Sequence, residues 1–320
     1  MRHPTSCVIA FAGLMAAAPT PALAADHAVA ADEVVSAIET AFGVVPGQRR
    51  NHTKGSCATG EFVGNPAASR YTRSALFSGA AVPVIARFSL SGGNPMAPDT
   101  ARSGRGMALE FSLPDGARHH MTMLNVPVFG AAHPQTFLDL MRAMAPDPAT
   151  GRPDPDRLRE FKASHNPPSS YANAAFWGIH SFKFINARDE TTLVRWRFVP
   201  QDGEKALSAD ELERAGAHFL EKALIERVRR GPVRWDMMLT IGTADDPQDD
   251  PTQAWPAGRP ELKVGTLSLH AASPQQGAAC EGINFDPLVM SDGVAPTNDP
   301  VLLFRSPAYA ISFGKRLSGN

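Results

Sequence analysis

Residues 82–90 (VPVIARFSL), 106–113 (GMALEFSL) and 119–128 (HHMTMLNVPV) decide the fold. Each run is apolar or alternates apolar with polar residues. Turn-forming residues separate them: SGGNPMAPDTARSGR at 91–105 and Pro114-Asp115-Gly116 between the second and third. A period of two broken by Gly, Pro and Asp predicts antiparallel strands. Toward the C-terminus, His180 to Asn186 and Thr191 to Phe198 predict a hairpin joined by Ala-Arg-Asp-Glu, and Val233 to Ile241 and Leu262 to Leu269 predict two more strands. Helical spacing takes over at Ala31 to Phe42 (Val34, Val35, Ile38, Phe42) and at Thr136 to Met144. Ser208 to Arg229, free of proline, is the strongest helix signal, with Ser208 and Glu211 as its capping box. Pro146 to Pro155 reads as a loop. Asp299-Pro300 opens a last helix, with Asp as N-cap and Pro in the first turn. No internal repeat is visible. Strands dominate and helices gather late, which predicts an α+β chain built on an antiparallel sheet or barrel.

The chain has 320 residues, enough for one large domain or two ordinary ones. Its 31 basic and 32 acidic residues leave a net charge of −1. That balance gives no support for nucleic acid or an anionic membrane as main partner. Arg2 and His3, the apolar stretch Cys7 to Ala18, and Ala22-Leu23-Ala24 have the order of a secretory leader. Cleavage after Ala24 leaves 25–320 as a single domain, in the periplasm or secreted. The apolar stretch is short for a bilayer span, and no other segment is long and apolar enough. Cys57 and Cys280 then remain. In an oxidising compartment they form either one disulfide or two separate buried thiols.

Local spacing offers a few chemical candidates. Arg305 and Tyr309 are four apart, so one helix face carries both. A guanidinium beside a phenol favours the phenolate, a hard anionic ligand for ferric iron; a surface arginine stacked on a half-buried tyrosine has the same spacing. His52 sits in Arg49-Arg50-Asn51-His52-Thr53-Lys54-Gly55, either as a proton-transfer residue among anion-holding cations or in a solvated basic turn. His119 and His120 are adjacent on a strand, so they face opposite ways and read as a solvated pair. Nucleotide-binding, zinc-binding and nucleophile-elbow motifs are absent.

Taken in order, several segments resemble the haem catalase family. They are 49–62 (RRNHTKGSCATGEF), Ala86 to Ser89, Asp99 to Phe111, Asn125 to Phe129, His180 to Lys183, Trp196 to Gly203, and Asn284 to Asp299 leading to Arg305-Ser-Pro-Ala-Tyr309. The likeness runs from about residue 40 onward, on the scale of the small catalase-related peroxidases, which keep the barrel core. The resemblance implies a catalase-like antiparallel barrel with peripheral and C-terminal helices. It implies a b-type haem whose iron is held by Tyr309, with His52 as distal acid–base residue and Ser89 orienting it. Arg49, Arg87 and Arg316 match propionate-binding arginines, and Phe129 and Phe137 match aromatic positions near the distal pocket. His180, Arg305 and Asp299 match a hydrogen-bond chain ending on the tyrosine. In ungapped register the family's distal asparagine falls on Leu124; Asn125 takes that catalytic place only if the strand shifts by one residue. Pro307 cannot donate to the carbonyl of Leu303, so a kink or break is expected there. The implied activity is a peroxidase that uses an organic electron donor. Its alternatives are a weak monofunctional catalase, a non-catalytic haem carrier, or a haem-free barrel binding a lipid. Peroxide and an organic reductant are the expected small-molecule partners. No nucleotide cofactor is expected, and without the wrapping arms of larger relatives the expected state is monomer or dimer.

Overall fold

The computed structural model describes Met1, 28–145 and 167–319. Apart from Met1, the leader expected at 1–24 and the loop expected at 146–155 lie outside the described residues, from 146 in the latter case. In chain order the elements begin with α1 (Ala31–Phe42), β1 (Gly55–Gly64), β2 (Ala81–Leu90), β3 (Arg105–Ser112), β4 (Arg118–Leu124) and α2 (Pro134–Met144). Then come β5 (Phe176–Trp177), β6 (Phe182–Ile185), β7 (Thr191–Pro200), α3 (Ala209–Arg214), α4 (Phe219–Arg229), β8 (Val233–Ile241), β9 (Glu261–Pro274), β10 (Val294–Pro296) and α5 (Pro300–Leu317).

All strand pairs are antiparallel, and the circuit β1-β2-β3-β4-β5-β7-β8-β9 returns to β1. The sheet is thus a closed eight-stranded barrel, with β6 and β10 extending from β7. Closure pairs the edge groups that an open sheet would leave bare. Large side chains fill the interior: Phe62, Phe88, Phe111, Phe176, Phe198 and Trp235, all fully buried. Phe62 meets Phe111 edge-on at 5.5 Å, and Phe88 stacks on Tyr171 at 5.1 Å. Gly265 makes room for Phe62, since a Cβ there would lie 2.2 Å from the ring. Outside the barrel, Val34 and Ala37 of α1 pack with Leu138 and Met141 of α2, and Phe304 of α5 joins them. These three helices form a second layer over part of the wall.

Four expectations change. β1 was not anticipated: Gly55, Gly60 and Gly64 dilute its pattern, although it is the strand that joins β2 to β9. β4 stops at Leu124, short of Val128, because Asn125 turns back onto Arg105 through its backbone N–H (2.9 Å) and its side-chain oxygen (2.7 Å). The helix expected over Ser208 to Arg229 is two helices. Its capping box is present, with the Glu211 N–H donating to Ser208 Oγ at 3.2 Å and the Ser208 N–H to Glu211 Oε2 at 2.9 Å. At Ala215–His218 the chain breaks to meet Asp99, whose N–H donates to Ala217 O and whose Oδ2 accepts from the Leu220 N–H. Finally, α5 runs without interruption through Pro307. Cys57 and Cys280 are bonded, with Cα atoms 5.6 Å apart.

Candidate functional site

Directly opposed residues on an antiparallel ladder share a face, so register places side chains without further argument. One row across β2, β3 and β4 is Ser89, Gly106 and Leu124; the next is Arg87, Ala108 and Thr122. The rows are two residues apart along each strand, roughly 7 Å. Both lie on the outer face. Phe88 and Met107, whose side chains alternate with them, point into the core. On β2 the usual alternation of burial vanishes between Ala86 and Leu90, where Arg87 and Ser89 are buried as thoroughly as their apolar neighbours. Something other than solvent covers this part of the wall.

His52 covers the first row. Its ring Nδ1 lies 3.0 Å from Ser89 Oγ. Gly106 permits this, because a Cβ there would fall 2.9 Å from Ser89 Oγ and 3.2 Å from the imidazole. His52 has φ of 55°, a left-handed conformation uncommon outside glycine. Asn51 holds it, its Oδ1 accepting from the N–H groups of His52 (2.8 Å) and Gly92 (2.7 Å). Arg87 Nη2 donates to the His52 carbonyl at 2.6 Å. Burial first, then the charges of Arg87, Arg305 and Arg49, hold the imidazole pKa down to about 3.

The second row meets α5. Arg305 Nη2 donates to Thr122 Oγ1 at 2.7 Å and to the Tyr309 hydroxyl at 2.6 Å, while Nη1 donates to His180 Nε2 at 3.2 Å. His180 Nδ1 then donates to Asp299 Oδ2 at 2.7 Å. Burial pushes the His180 pKa down to about 4, so the ring is the neutral tautomer that this chain requires. Asp299 is fully buried and does two jobs. Its Oδ1 accepts from Val301 and Leu302, capping α5, and its Oδ2 fixes His180. The expected kink at Pro307 does not part Arg305 from Tyr309.

Arg49, Arg87 and Arg316 gather at one end. Arg49 and Arg316 donate to main-chain carbonyls of 280–283, and Arg87 donates to Gln275 and to the His52 and Thr53 carbonyls. Among the described residues none of the three has a carboxylate within ion-pair distance. Burial and repulsion from Arg87 and Arg316 depress the Arg49 guanidinium to about 8. Glu281 adds an opposing charge near Arg49 and Arg316 without ion-pairing either, and a crowded trio of cations with no ion-paired carboxylate is the complement of a ligand carrying two carboxylates.

The structure does not bring every expected residue together. Leu124 is in the row with Ser89 and Gly106. Asn125 is turned onto Arg105 and lines a separate cleft of about 220 Å³ with Ala174, Glu204 and Lys205. Phe129 and Phe137 stack on each other at 5.5 Å, with Phe137 packed into the helical layer. His119 and His120 do face opposite ways, but they are buried rather than solvated. His119 accepts from the Ser291 N–H beside Phe111, and His120 is 2.9 Å from Glu110. The Arg305 partner Thr122, the Asn51 clamp, and Gln275 with the carbonyls of 280–283 were not foreseen. Thr122 stands two residues before Leu124 on the same face, but nothing in the sequence ties it to Arg305.

These residues suit haem. Each row carries a small residue on β3, Gly106 in the one that His52 covers and Ala108 in the one that Arg305 reaches. The guanidinium on Tyr309 supplies the donor an anionic phenol oxygen needs, and the arginine trio lacks the anions that propionates would bring. Tyr309 would hold the iron.

Comparison with known proteins gives a consistent picture. The family model described as Catalase matches residues 44–320. A "Catalase-related peroxidase" of Synechococcus elongatus is 56% identical over 295 residues, covering 88% of this chain and 87% of that protein. Another so named, of Mycolicibacterium paratuberculosis, is 32% identical over 284 residues, covering 84% and 89%. Among solved structures, a bacterial catalase superposes with a TM-score of 0.77 at 25% identity, covering 85% of this chain and 58% of its own. Catalase A from Saccharomyces cerevisiae has a TM-score of 0.77 at 24% identity, with 85% and 62% covered. The chain therefore spans about three-fifths of the length of those larger catalases.

Proposed function

The chain belongs to the catalase family, and from that premise we propose that it is a haem-dependent peroxidase in which His52 moves the proton and Tyr309 holds the iron. It is an oxidoreductase acting on peroxide. When bound, haem supplies the ferric centre where a hydroperoxide coordinates and the electrons that open its O–O bond. His52, unprotonated at neutral pH, accepts the proton from the nearer peroxide oxygen and returns it to the farther one, which leaves as water or an alcohol. Ser89 keeps the ring aimed, and the strained backbone at His52 is fixed by Asn51 and Arg87. Behind the phenol, Asp299 accepts from His180, His180 accepts from Arg305, and Arg305 is thereby held as the donor to the tyrosine oxygen.

Leu124 decides between reductants. An apolar side chain in the row beside His52 cannot hydrogen-bond a second peroxide, so turnover is completed by an organic donor rather than by rapid dismutation. A b-type haem, which needs no covalent attachment to the chain, fits this set: Tyr309 would hold the iron and Arg49, Arg87 and Arg316 the propionates. The leader-like segment before residue 25 and the Cys57–Cys280 bond support work outside the cytoplasm. No helix among the described residues is long and apolar enough to cross a membrane.

One observation carries the reading: two separate hydrogen-bonded sets, His52–Ser89 and Arg305–Tyr309, stand on adjacent rows of one barrel face. His52→Ala in the haem-loaded protein tests it. Peroxide-dependent oxidation of a dye should fall by roughly 10²–10⁴-fold while the Soret band is retained. Undiminished turnover would remove His52 from the mechanism, and a purified protein without a Soret band would point to a haem-free barrel.

A further inference from the structure

Three arginines from three different places rest on one short segment. Arg49 Nη2 donates to the carbonyls of Cys280 (3.3 Å), Glu281 (3.2 Å) and Ile283 (2.7 Å). Arg316, near the end of α5, donates to Glu281 O (2.9 Å) and Gly282 O (3.3 Å). Arg87, on β2, directs Nε and Nη2 to Gln275 Oε1 at 3.2 and 2.8 Å. The segment itself has little to hold it. β9 ends at Pro274, and 275–283 contains turns but no helix or strand. Its internal bonds are local, such as Ala278 N–H to Gln275 O and Glu281 N–H to Ala278 O.

The covalent tie of this segment to the barrel wall is Cys57–Cys280. Cys57 sits directly opposite Arg87 in the β1–β2 ladder, and both sulfur-bearing residues are buried with Phe285. The bond therefore enters the segment at the first of the carbonyls that Arg49 uses. Carbonyl dipoles aimed at guanidiniums are useful only if they stay fixed. A short turn segment facing three mutually repelling cations pays conformational entropy to stay in place. A cross-link spanning 223 residues of sequence removes much of that freedom beforehand.

We propose that the Cys57–Cys280 disulfide is a positioning element of the haem site, fixing the 280–283 carbonyls so that Arg49 and Arg316 are set to grip the two propionates. This rests on the haem reading above. The bond acts through the arginines and touches no reacting atom.

The test is haem transfer from the full-length holoprotein to excess apomyoglobin, followed in the Soret region. Cys57→Ser/Cys280→Ser should lose haem about tenfold faster than wild type, equivalent to about 1.4 kcal/mol. Removing the bond in an Arg49→Gln/Arg316→Gln background should change the rate less than about twofold, because the coupled partners are already gone. Equal rates in the first comparison would overturn the proposal. So would the same tenfold gain in both backgrounds, which would mean general loosening of the fold. If the double-serine chain does not fold, wild type reduced by a phosphine after folding replaces it, with the same two outcomes. A wild-type protein that shows no Soret band on reconstitution takes the proposal down with the haem reading, and that failure is distinguishable from equal haem loss.

Discussion

At the scale of single residues, His52 carries the largest departure from ordinary behaviour. It combines a left-handed backbone with an imidazole pKa held near 3. The direction matters for turnover. A proton acceptor must be unprotonated, and a lowered pKa keeps His52 unprotonated until the solution is strongly acid. The acid limb of kcat/KM should therefore show no inflection near the ordinary histidine value of about 6.5, and its His52-dependent fall should come near pH 3. A pH–rate profile with an inflection at 6–7 that disappears in His52→Ala would contradict this. Leu124 invites the reciprocal change. Leu124→Asn places an amide in the row with Ser89 and Gly106, and oxygen evolution from peroxide should rise severalfold relative to dye oxidation, measured on the same preparation. Arg305 and Tyr309 were legible from an i, i+4 spacing, though that spacing alone fits many surface pairs. Thr122 was not legible, because a threonine on a strand announces nothing until register shows which arginine reaches it.

Elements are fixed here by partners far away in sequence. The N-terminus of α4 takes Asp99 Oδ2 from the loop between β2 and β3, 121 residues earlier, and Lys54 pairs with the other oxygen at 2.6 Å. No local pattern marks that cap, which is why a proline-free run with one good capping box reads as one long helix. Asp99 is almost wholly buried, so Asp99→Ala takes from Lys54 its carboxylate partner, leaving the Ala97 and Ala217 carbonyls and His218, and leaves Leu220 N–H without its acceptor. A loss of about 3–5 kcal/mol is expected, seen as a lower urea midpoint, with Asp99→Asn recovering part of it. At α5 the opposite holds: Asp299-Pro300 is a local signal and starts the helix where it was expected. What the sequence could not disclose is that the same aspartate turns its second oxygen onto His180.

For the whole molecule, the buried histidines set the response to acid. His52 and His119 are lowered to about 3 and His180 to about 4, each chiefly by burial. Unfolded, each would titrate near 6.5. Above that pH neither state is protonated and the stability tied to these groups is fully present. Below it the unfolded chain binds protons that the fold refuses, so stability drains away as pH falls from about 6.5 toward 3. Urea midpoints should decline steadily between pH 7 and 4.5, and a flat profile would show that these rings are not held neutral. The barrel as a class was readable from three alternating runs and their turns. Its closure was not, because the closing strand β1 is interrupted by glycines and has little apolar alternation of its own. Most of the site was legible only through the ordered succession of family-like segments, since its residues come from many separate stretches of chain.

That dispersal bears on how the protein is made. The imidazole side of the site is specified near residue 52 and the phenol side near residue 309, with the whole barrel between them. A ribosome that has released every strand has still not released Tyr309, so a nascent chain holds only a half-built pocket. A site that needs both sides can be complete only after α5 has been made. Contacts this distant in sequence are slow to form, so the joining of the two sides is expected to be a late step of folding.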